Sequence, residues 1–484
     1  MTSLTEEHEE QRRWRFRPEK RNMAPQIARL VDGEFTPPAM LAAQQGEGLS
    51  RMALFASSSV PYWSALFRER GIDPKILHDV GELERLPVLN KLELARHNPR
   101  LRARRLPPGE RVFGWTASSG TTGQPAKVLH SVRSNLMFTL LRQRHYRWHR
   151  MDPEATFASI RLPSQLPIAR GEAPLANGIT GRRPAWRYAS AFFETGPYIF
   201  FSVTNPIERQ LEWLAEECPH YLETYSETLE HLVFACEGRW PAPSIRKLQA
   251  ISEQLTPSMR RRIEATAGVA IEQSYGLNEI GLVGVRCAGG RYHVHAEHCV
   301  VEIVDEDGRR CAPGATGRVV VSTLTNAAMP LFRYDTGDMA AAVQGPCPCG
   351  RTLPAFGDLA GRYSRIAYLP QGTLALVGAL REALETIPPL TARHLRQFQI
   401  HQFRDESFEL RLLTAGALPP EFETRIRVAW TAATNDKHSL RIVLVDVIHR
   451  SPGGKFQDFT SDFMPNADSD NVPPPATGAD KDKG

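Results

Sequence analysis

The sequence is constrained most strongly by residues 115–127, which read W-T-A-S-S-G-T-T-G-Q-P-A-K. Glycines and hydroxyl side chains crowd this stretch, and both weaken regular helices and strands. The same residue types suit an anion, because glycines let backbone N–H groups approach it while hydroxyl groups and Lys127 add donors. The spacing differs from the G-x-x-x-x-G-K-[ST] loop, since Lys127 comes four residues after Gly123. An exposed linker is the competing interpretation, but the apolar flanks and the closing Pro-x-Lys favour a phosphate-binding loop.

A second polar motif, Q-S-Y-G-L-N-E at residues 273–279, follows a short predicted strand at 269–273. A Tyr-Gly turn after a strand can present an aromatic face and a carboxylate to one cleft. Tyr275 would suit stacking on adenine, and Glu279 would suit binding of Mg²⁺. Taken alone, the Y-G-x-x-E pattern is weak, and an ordinary turn with a surface glutamate would explain it.

Two more motifs lie towards the C-terminus. In L-F-R-Y-D-T-G-D, Asp338 follows a glycine turn, where a carboxylate can accept hydrogen bonds from both hydroxyl groups of a ribose. In P-G-G-K-F, Lys455 stands on a glycine-rich loop, from which it could reach a carboxylate and a phosphate and then withdraw. A β-turn aspartate and a surface lysine are the respective alternatives.

Together these motifs resemble those of the adenylate-forming superfamily, which includes acyl-CoA ligases, luciferases and peptide-synthetase adenylation domains. The phosphate loop of that superfamily is similar to S-S-G-T-T-G-x-P-x-K, and residues 118–127 match every position. The second motif is similar to Y-G-x-T-E, with Asn278 in place of the threonine, and the third is similar to Y-R-T-G-D. Shorter strings narrow the resemblance to the phenylacetate–CoA ligase-like branch, which includes relatives associated with capsule or exopolysaccharide biosynthesis. These strings are Tyr62-Trp63, L-P-V-L at 86–89, C-P-C-G-R at 347–351 and R-Q-F-Q-I at 396–400.

The resemblance covers about residues 50–460 and implies an α/β fold, and strand-like and helix-like segments alternate over 151–335 in agreement with it. We expect a large N-terminal domain of several sheets flanked by helices at 46–361, and a small mobile α+β domain at 362–460. Residues 1–45 are charged and irregular, which predicts a loosely ordered arm, and the polar tail at 461–484 is predicted to be disordered. Residues 192–193 and 199–203 are predicted as buried strands, and 134–148 as a helix.

The resemblance also implies a two-step reaction, in which ATP activates a carboxylic acid as an acyl-adenylate and a thiol then takes the acyl group. CoA is the first candidate for that thiol, with a carrier-protein thiol, an amine or a hydroxyl group as alternatives. The sequence does not identify the acid, because the aromatic residues that could line a pocket for an aryl acid are explained at least as well by core packing. These residues are Phe192, Phe193, Tyr198 and Tyr225. A zinc-stabilised binding module without catalysis is the alternative from another class.

The roles of single residues follow from the same resemblance. Thr122, Glu279 and Lys455 are the candidate catalytic residues, and Glu279 is also the candidate ligand of Mg²⁺. Arg362 matches an arginine near the domain hinge of relatives, although Arg365 replaces the acid of their G-R-x-x-D pattern. The residues implied to bind ATP or AMP are Ser118, Ser119, Gly120, Thr121, Thr122, Gly123, Lys127, Tyr275, Gly276, Asn278, Asp338 and Arg362.

A separate group of residues predicts a metal site. Three thiols and one imidazole are the natural set for tetrahedral, structural Zn²⁺, and phenylacetate–CoA ligase-like proteins carry a similar cysteine-rich segment. Free buried cysteines are the competing explanation. The predicted ligands are Cys287, His293, Cys347 and Cys349, with His295, His298, Cys299 and Cys311 as rival donors.

Charge and cysteine usage exclude several classes of protein. A net charge of +5 over 484 residues is too small to indicate a nucleic-acid partner, although it suits anionic ligands such as ATP or CoA. Seven cysteines do not suggest a secreted disulfide framework, and no apolar run is long enough to span a bilayer. We therefore expect a cytoplasmic enzyme with no membrane partner. The oligomeric state stays open, with a homodimer as one candidate.

Overall fold

The computed structural model describes residues 13–117, 127–166, 180–236, 238–252, 255–362, 395–414, 416–434, 438–448 and 459–462. Residues 118–126, which form most of the predicted phosphate loop, lie outside these ranges, as do Lys455 and the tail from 463 onwards. Arg362 is described by its backbone alone. In the described ranges, no helix combines the length and the apolar character that crossing a bilayer requires.

Helices and strands alternate through most of the described chain. The α-helices are α1 (Ala24–Asp32), α2 (Pro38–Ser59), α3 (Pro61–Glu69), α4 (Lys91–Arg96), α5 (Asn98–Leu101), α6 (Val132–Trp148), α7 (Ile207–Glu217), α8 (Ser226–Ala235), α9 (Pro257–Ala267) and α10 (Pro420–Thr434). The strands are β1 (Val112–Ala117), β2 (Lys127–Ser131), β3 (Phe157–Arg161), β4 (Thr180–Arg183), β5 (Tyr198–Ser202), β6 (Tyr221–Tyr225), β7 (Lys247–Ile251), β8 (Ile271–Leu277), β9 (Gly281–Arg286), β10 (Tyr292–Val294), β11 (Cys299–Val304), β12 (Thr316–Thr323), β13 (Tyr334–Ala341), β14 (Ala355–Phe356), β15 (Leu359–Arg362), β16 (Leu395–Gln402), β17 (Phe408–Thr414), β18 (Leu440–Leu444) and β19 (Phe459–Ser461).

The largest sheet has the strand order β14-β10-β9-β8-β7-β6-β3-β5-β4. Its central strands, from β8 to β5, are parallel. Parallel strands need crossover connections: α8 connects β6 to β7, α9 connects β7 to β8, and α7 connects β5 to β6 on the far side of β3. Side chains alternate between the faces of a strand, so Ile160 packs with the core beneath α7–α9 while Phe157 packs with Leu141 of α6 on the other face. The sheet is therefore buried on both faces, as the predicted α/β fold requires.

Three smaller sheets complete the described structure. β1 and β2 form a hairpin, and β11-β12-β13-β15 form an antiparallel sheet. The fourth sheet, β18-β17-β16-β19, mixes parallel and antiparallel pairs, and Phe422, Ile426 and Trp430 of α10 pack against it. This C-terminal unit has the α+β composition that the sequence predicts.

The N-terminal segment differs from the predicted loosely ordered arm. The Trp14 side chain is buried, and its ring centroid lies 5.2 Å from that of Phe193. Glu34 is also buried, and its Oε2 accepts a hydrogen bond of 2.7 Å from Arg351 Nε. Burial of Ile27 in α1 adds an apolar contact. Local composition misses this packing because the partners of the segment lie far away along the chain.

The second difference concerns residues 192–193, which the sequence predicts as a buried strand. Phe192 follows a 3₁₀ turn at Ala189–Ala191, and Phe193 pairs only with Phe16 through an isolated bridge among the described residues. Both rings are buried in the core beside Trp14 and Trp186. Their apolar character therefore reflects core packing and not membership of the sheet.

Candidate functional site

The hairpin of β1 and β2 frames the predicted phosphate loop. Ala117 pairs with Lys127, so the two residues that flank positions 118–126 in the sequence lie directly opposite each other in the hairpin. The Lys127 side chain is exposed, while its carbonyl oxygen accepts a hydrogen bond of 2.6 Å from Asn98 Nδ2. The hairpin thus fixes both ends of the loop, and its next residues lead directly into α6.

The turn between β8 and β9 is bonded to the same hairpin. Asn278 Nδ2 donates to the carbonyl oxygen of Ala117 at 2.9 Å, one residue before the phosphate loop. In return, the carbonyl oxygen of Asn278 accepts from Thr116 Oγ1 at 2.6 Å and lies 3.0 Å from His130 Nε2. Burial lowers the pKa of His130, so its imidazole is neutral at pH 7 and Nε2 donates to that carbonyl. We call these bonds the loop clamp, since they hold the first two motifs together.

The loop clamp predicts a measurable role for the Asn278 side chain. Replacement by aspartate keeps the shape, removes the donor to Ala117 and adds a negative charge beside the predicted phosphate loop; the lost hydrogen bond alone contributes about 0.5–1.5 kcal/mol. We expect Asn278→Asp to lower kcat/KM for ATP by at least about three- to tenfold, with little change in the thermal unfolding midpoint. Asn278→Thr, which restores the residue of the Y-G-x-T-E pattern, is the companion variant. Unchanged ATP kinetics in the aspartate variant would show that the clamp does not position the loop.

Two tyrosines hold the carboxylates of the second and third motifs. Tyr275 donates through its hydroxyl group to Asp338 Oδ2 at 2.8 Å, which brings the candidate adenine and ribose contacts together. Tyr334 donates to Glu279 Oε1 at 3.2 Å, and the Glu279 side chain is buried. Asp338 lies opposite Arg362 in the pairing of β13 with β15, so the backbone of the candidate hinge adjoins the ribose candidate.

Two glycines shape the turns that carry these residues. A Cβ on Gly276 would lie 2.9 Å from the carbonyl oxygen of Gly281, so only glycine fits where β8 bulges against β9. Gly337 has φ of +78°, a backbone conformation that residues with a Cβ atom rarely adopt. Its N–H donates to Asp335 Oδ1 at 2.9 Å. Both glycines stand next to candidate nucleotide-binding residues, Tyr275 and Asp338.

The structure therefore joins Lys127, Tyr275, Asn278, Glu279 and Asp338 through the hairpin and neighbouring strands. Gly276 and the backbone of Arg362 adjoin these residues, whereas the predicted contacts at 118–123 and Lys455 lie outside the described ranges. Thr116 and His130 were not predicted from the sequence. Their side chains bond to a carbonyl 148 or more residues away, and no local pattern signals such a contact.

The predicted metal ligands converge in a second place. Candidate ligand atoms of Cys287, His293, Cys347 and Cys349 all lie within 4.8 Å of one another. Cys287 Sγ is 3.5 Å from Cys347 Sγ, and Cys349 Sγ is 3.2 Å from His293 Nε2. His293 Nδ1 lies 3.1 Å from the carbonyl oxygen of Leu353, an arrangement that commonly orients a metal-binding imidazole. A set of three thiols and one imidazole fits structural Zn²⁺ and leaves no open position.

The surroundings of this cluster suit metal binding. Burial lowers the pKa of His293, which keeps the imidazole neutral, and burial raises the pKa of the Cys347 thiol to about 11. A bound divalent cation favours thiolates, so it would promote deprotonation of the Cys347 thiol in spite of that raised pKa. The Gly289 turn needs a small residue, since a Cβ there would lie 3.3 Å from Cys347 Sγ.

The rival donors that the sequence offers have other partners. His295 Nδ1 is 3.1 Å from Arg144 Nη1, and His298 Nδ1 is 2.7 Å from Thr325 Oγ1. Cys299 is fully buried near the carbonyl oxygen of Val283, and Cys311 packs against Gly317. Within the described ranges, none of these four joins the group of candidate metal ligands.

The aromatic residues that could line an aryl pocket have mostly structural surroundings. Phe192, Phe193 and Tyr198 belong to the core that contains α6 and Trp186. Tyr225 lies at the end of β6, where its hydroxyl group donates to Gln165 Oε1 at 2.8 Å. Core packing therefore accounts for three of the four.

Comparison with known proteins agrees with this fold. A family model described as "AMP-binding enzyme" matches residues 65–329, which include β1, β2, β8 and the loop clamp. The chain belongs to the AMP-binding enzyme family, that is, to the adenylate-forming superfamily. Within it, the chain is phenylacetate–CoA ligase-like, as its curated relatives indicate.

Two curated relatives and one solved structure illustrate the similarity. The chain is 30% identical over 338 residues to the phenylacetate-coenzyme A ligase of Thermus thermophilus, covering 68% of this chain and 72% of the relative. Identity to the Escherichia coli phenylacetate-coenzyme A ligase is 24% over 331 residues, with 66% and 71% covered. The crystal structure of a 2-hydroxyisobutyryl-CoA ligase in the postadenylation state aligns with a TM-score of 0.70 at 17% identity, covering 90% of this chain and 92% of that one. At this level of identity, the likeness shows the shared fold.

Proposed function

We propose that this protein is an ATP-dependent acid–thiol ligase, which converts a carboxylic acid to its acyl-adenylate and passes the acyl group to CoA. The loop clamp is the observation that supports this most strongly, because it joins the frame of a phosphate loop to the turn bearing Glu279. The named activities of the curated relatives point to the same reaction, and they make aryl acids the first substrates to test.

Each of these residues would have its own role in adenylation. Residues 118–123 and Lys127 would hold the phosphates, Tyr275 would contact the adenine, and Asp338 would bind the ribose hydroxyl groups. Glu279 would bind Mg²⁺, which when bound neutralises phosphate charge. Lys455 would stabilise charge on the transferring group. Catalysis would then consist mainly of positioning and electrostatic stabilisation, with Thr122 acting within the phosphate loop.

The cysteine–histidine cluster and the domain boundary belong to the same proposal. Cys287, His293, Cys347 and Cys349 would hold a structural Zn²⁺ ion, which stabilises the turn before β14. Arg362 would mark the hinge between a large domain at 46–361 and a small one at 362–460. Rotation at this hinge would exchange the adenylation and thioester-forming arrangements.

ATP–pyrophosphate exchange with a panel of carboxylic acids tests the first half-reaction. We expect at least one acid, and aryl acids among the first, to promote exchange without CoA. Addition of CoA should then consume its thiol and release AMP in equal amounts, as measured by thiol titration and chromatography. Exchange that proceeds while CoA stays intact would instead favour a carrier protein, an amine or a hydroxyl acceptor. Failure to bind ATP in calorimetry would favour the non-catalytic module.

A further inference from the structure

A buried group of charges between α6 and the central sheet has no role in the function proposed so far. Glu223 on β6 accepts a hydrogen bond from Arg142 Nη2 of α6 at 2.7 Å through Oε2 and another from Arg161 Nη2 at the end of β3 through Oε1. The side chains of Arg142 and Glu223 are 5% and 3% exposed, and that of Arg161 is 13% exposed. We call Arg142 and Arg161 the arginine pair.

The arginine pair carries more positive charge than its partner offsets. Burial opposes ionisation of Glu223, but the two guanidinium groups outweigh it and lower its pKa to about 2. Burial opposes the charge of both arginines, but Tyr146 and Glu223 raise the pKa of Arg142, and Glu223 raises that of Arg161, so all three groups are charged at pH 7. Among the described residues, Glu223 is the one carboxylate in salt-bridge contact with either arginine, which leaves one net positive charge.

An uncompensated buried charge is costly unless further partners satisfy it. The rings of Tyr146 and Tyr188 lie 5.2 Å from the Arg142 guanidinium carbon and offset part of the charge. Even so, the buried Nε of Arg142 and the buried Nε of Arg161 have no hydrogen-bond partner in the described part of the chain. The group therefore retains both charge and donors for an anion.

The two elements that carry the arginine pair, β3 and α6, both have an end on the side of the sheet where the turn of the second nucleotide motif lies. Arg161 ends β3 at the carboxyl edge of the parallel strands, the edge where β8 leads into the turn of Asn278 and Glu279 and where ligands of α/β sheets bind. Helix α6 begins beside that turn, since Ser134 Oγ is 3.3 Å from His130 Nδ1. Arg142 follows eight residues later on the same helix, about 12 Å along its axis.

From this placement we propose that the arginine pair forms a subsite for a second anionic group on the acid substrate, at the end remote from the carboxylate that is adenylated. The substrate would then be an extended dicarboxylic acid or an aryl acid with a second carboxylate. This inference rests on the proposed ligase function and narrows its substrate class. Recognition would use charge-assisted hydrogen bonds, for which guanidinium groups are well suited.

The test compares each monocarboxylic acid with its counterpart bearing a second, remote carboxylate. Phenylacetate and 1,4-phenylenediacetate form one such pair, and straight-chain acids of increasing length with their dicarboxylic counterparts form the others. The measured quantity is the ratio of kcat/KM values in ATP–pyrophosphate exchange, which does not depend on the fraction of folded enzyme. We expect the wild type to favour the better dianionic acids by roughly tenfold or more.

Two variants change the charge of the subsite in opposite directions. Arg161→Gln should lower the preference for the dianionic acid roughly tenfold, and Glu223→Gln, which adds one net positive charge, should raise it. Arg182→Gln is the matched control, because Arg182 is an exposed arginine on β4 that pairs with Glu217, and it should leave the ratio unchanged. A purely structural ion pair would lower thermal stability in the first two variants without altering the ratio.

Three results would contradict the proposed subsite, and they show whether the ligase function fails with it. If every dianionic acid is a poorer substrate than its monoanionic counterpart, the subsite is wrong while the ligase function stands. If Arg161→Gln and Glu223→Gln leave the ratio unchanged, the subsite is likewise wrong. If no acid of either kind promotes exchange by the wild type, the ligase function itself fails, and the subsite fails with it.

Discussion

Replacement of Glu279 by glutamine is expected to reduce ATP–pyrophosphate exchange about 10²–10³-fold, a loss typical of removing one group that stabilises charge in a transition state. Glutamine keeps the size of the side chain and the oxygen that accepts from Tyr334, a bond of 3.2 Å in the structure. It removes only the negative charge proposed to bind Mg²⁺, because an amide oxygen is a weaker ligand for that ion than a carboxylate. The exchange rate measured over a range of Mg²⁺ concentrations gives both the loss and any change in metal dependence.

Tyr334→Phe provides the matched control. It deletes the same hydrogen bond but leaves the Glu279 carboxylate in place, so the expected loss is less than about tenfold. If the glutamine variant kept nearly full activity with an unchanged Mg²⁺ dependence, Glu279 would have no part in binding the ion. Equal losses in both variants would show that the charge of Glu279 matters no more than its hydrogen bond to Tyr334.

Replacement of Cys287 by serine is expected to remove bound zinc and to lower the thermal unfolding midpoint by about 10 °C. Binding free energy at a structural zinc site is also folding free energy, so loss of one thiolate ligand removes several kcal/mol from both. Elemental analysis of the purified protein and calorimetric unfolding measure the two effects. The wild type should contain one zinc per chain.

Cys311→Ser is the control for the zinc prediction, since Cys311 is a partly buried cysteine outside the candidate ligand group. It should retain zinc and unfold within about 2 °C of the wild type. A wild-type protein that carries no zinc after purification in its presence would contradict the metal site. So would a Cys287 variant that keeps a full equivalent of the ion.

The sequence predicted the parts of the site that depend on local motifs. Residues 115–127 read as a loop with a flanking strand and helix, and the structure places β1, β2 and α6 around it. The metal candidates were identified from two turns: Cys347 and Cys349 lie in a Pro/Gly turn, and Cys287 precedes a Gly-Gly turn. Such turns bring ligands that are close in sequence to one point. The sequence favoured His293 and left His295 as a rival donor, and the structure brings His293 to the three cysteines while His295 contacts Arg144.

Contacts between distant segments could not be predicted from the sequence. The loop clamp depends on a threonine and a histidine from neighbouring strands meeting one carbonyl oxygen of a remote turn. The arginine pair likewise depends on α6, β3 and β6 meeting across the sheet, and its three residues fit no motif. The order of the N-terminal segment was missed for the same reason, because charged residues predict exposure unless their partners are known.

The bond between Glu34 and Arg351 bears on how this protein could be shortened. It joins positions 317 residues apart, and it is reinforced where Thr352 donates through its N–H to the carbonyl oxygen of Glu34 at 2.9 Å. Arg351 is also two positions from Cys349 and stacks over Trp148, with 3.9 Å from its guanidinium carbon to the ring centroid. Trimming the chain to start at α2 would remove Glu34 and its bonds to Arg351 and Thr352, so this N-terminal segment supports the turn that carries Cys347 and Cys349.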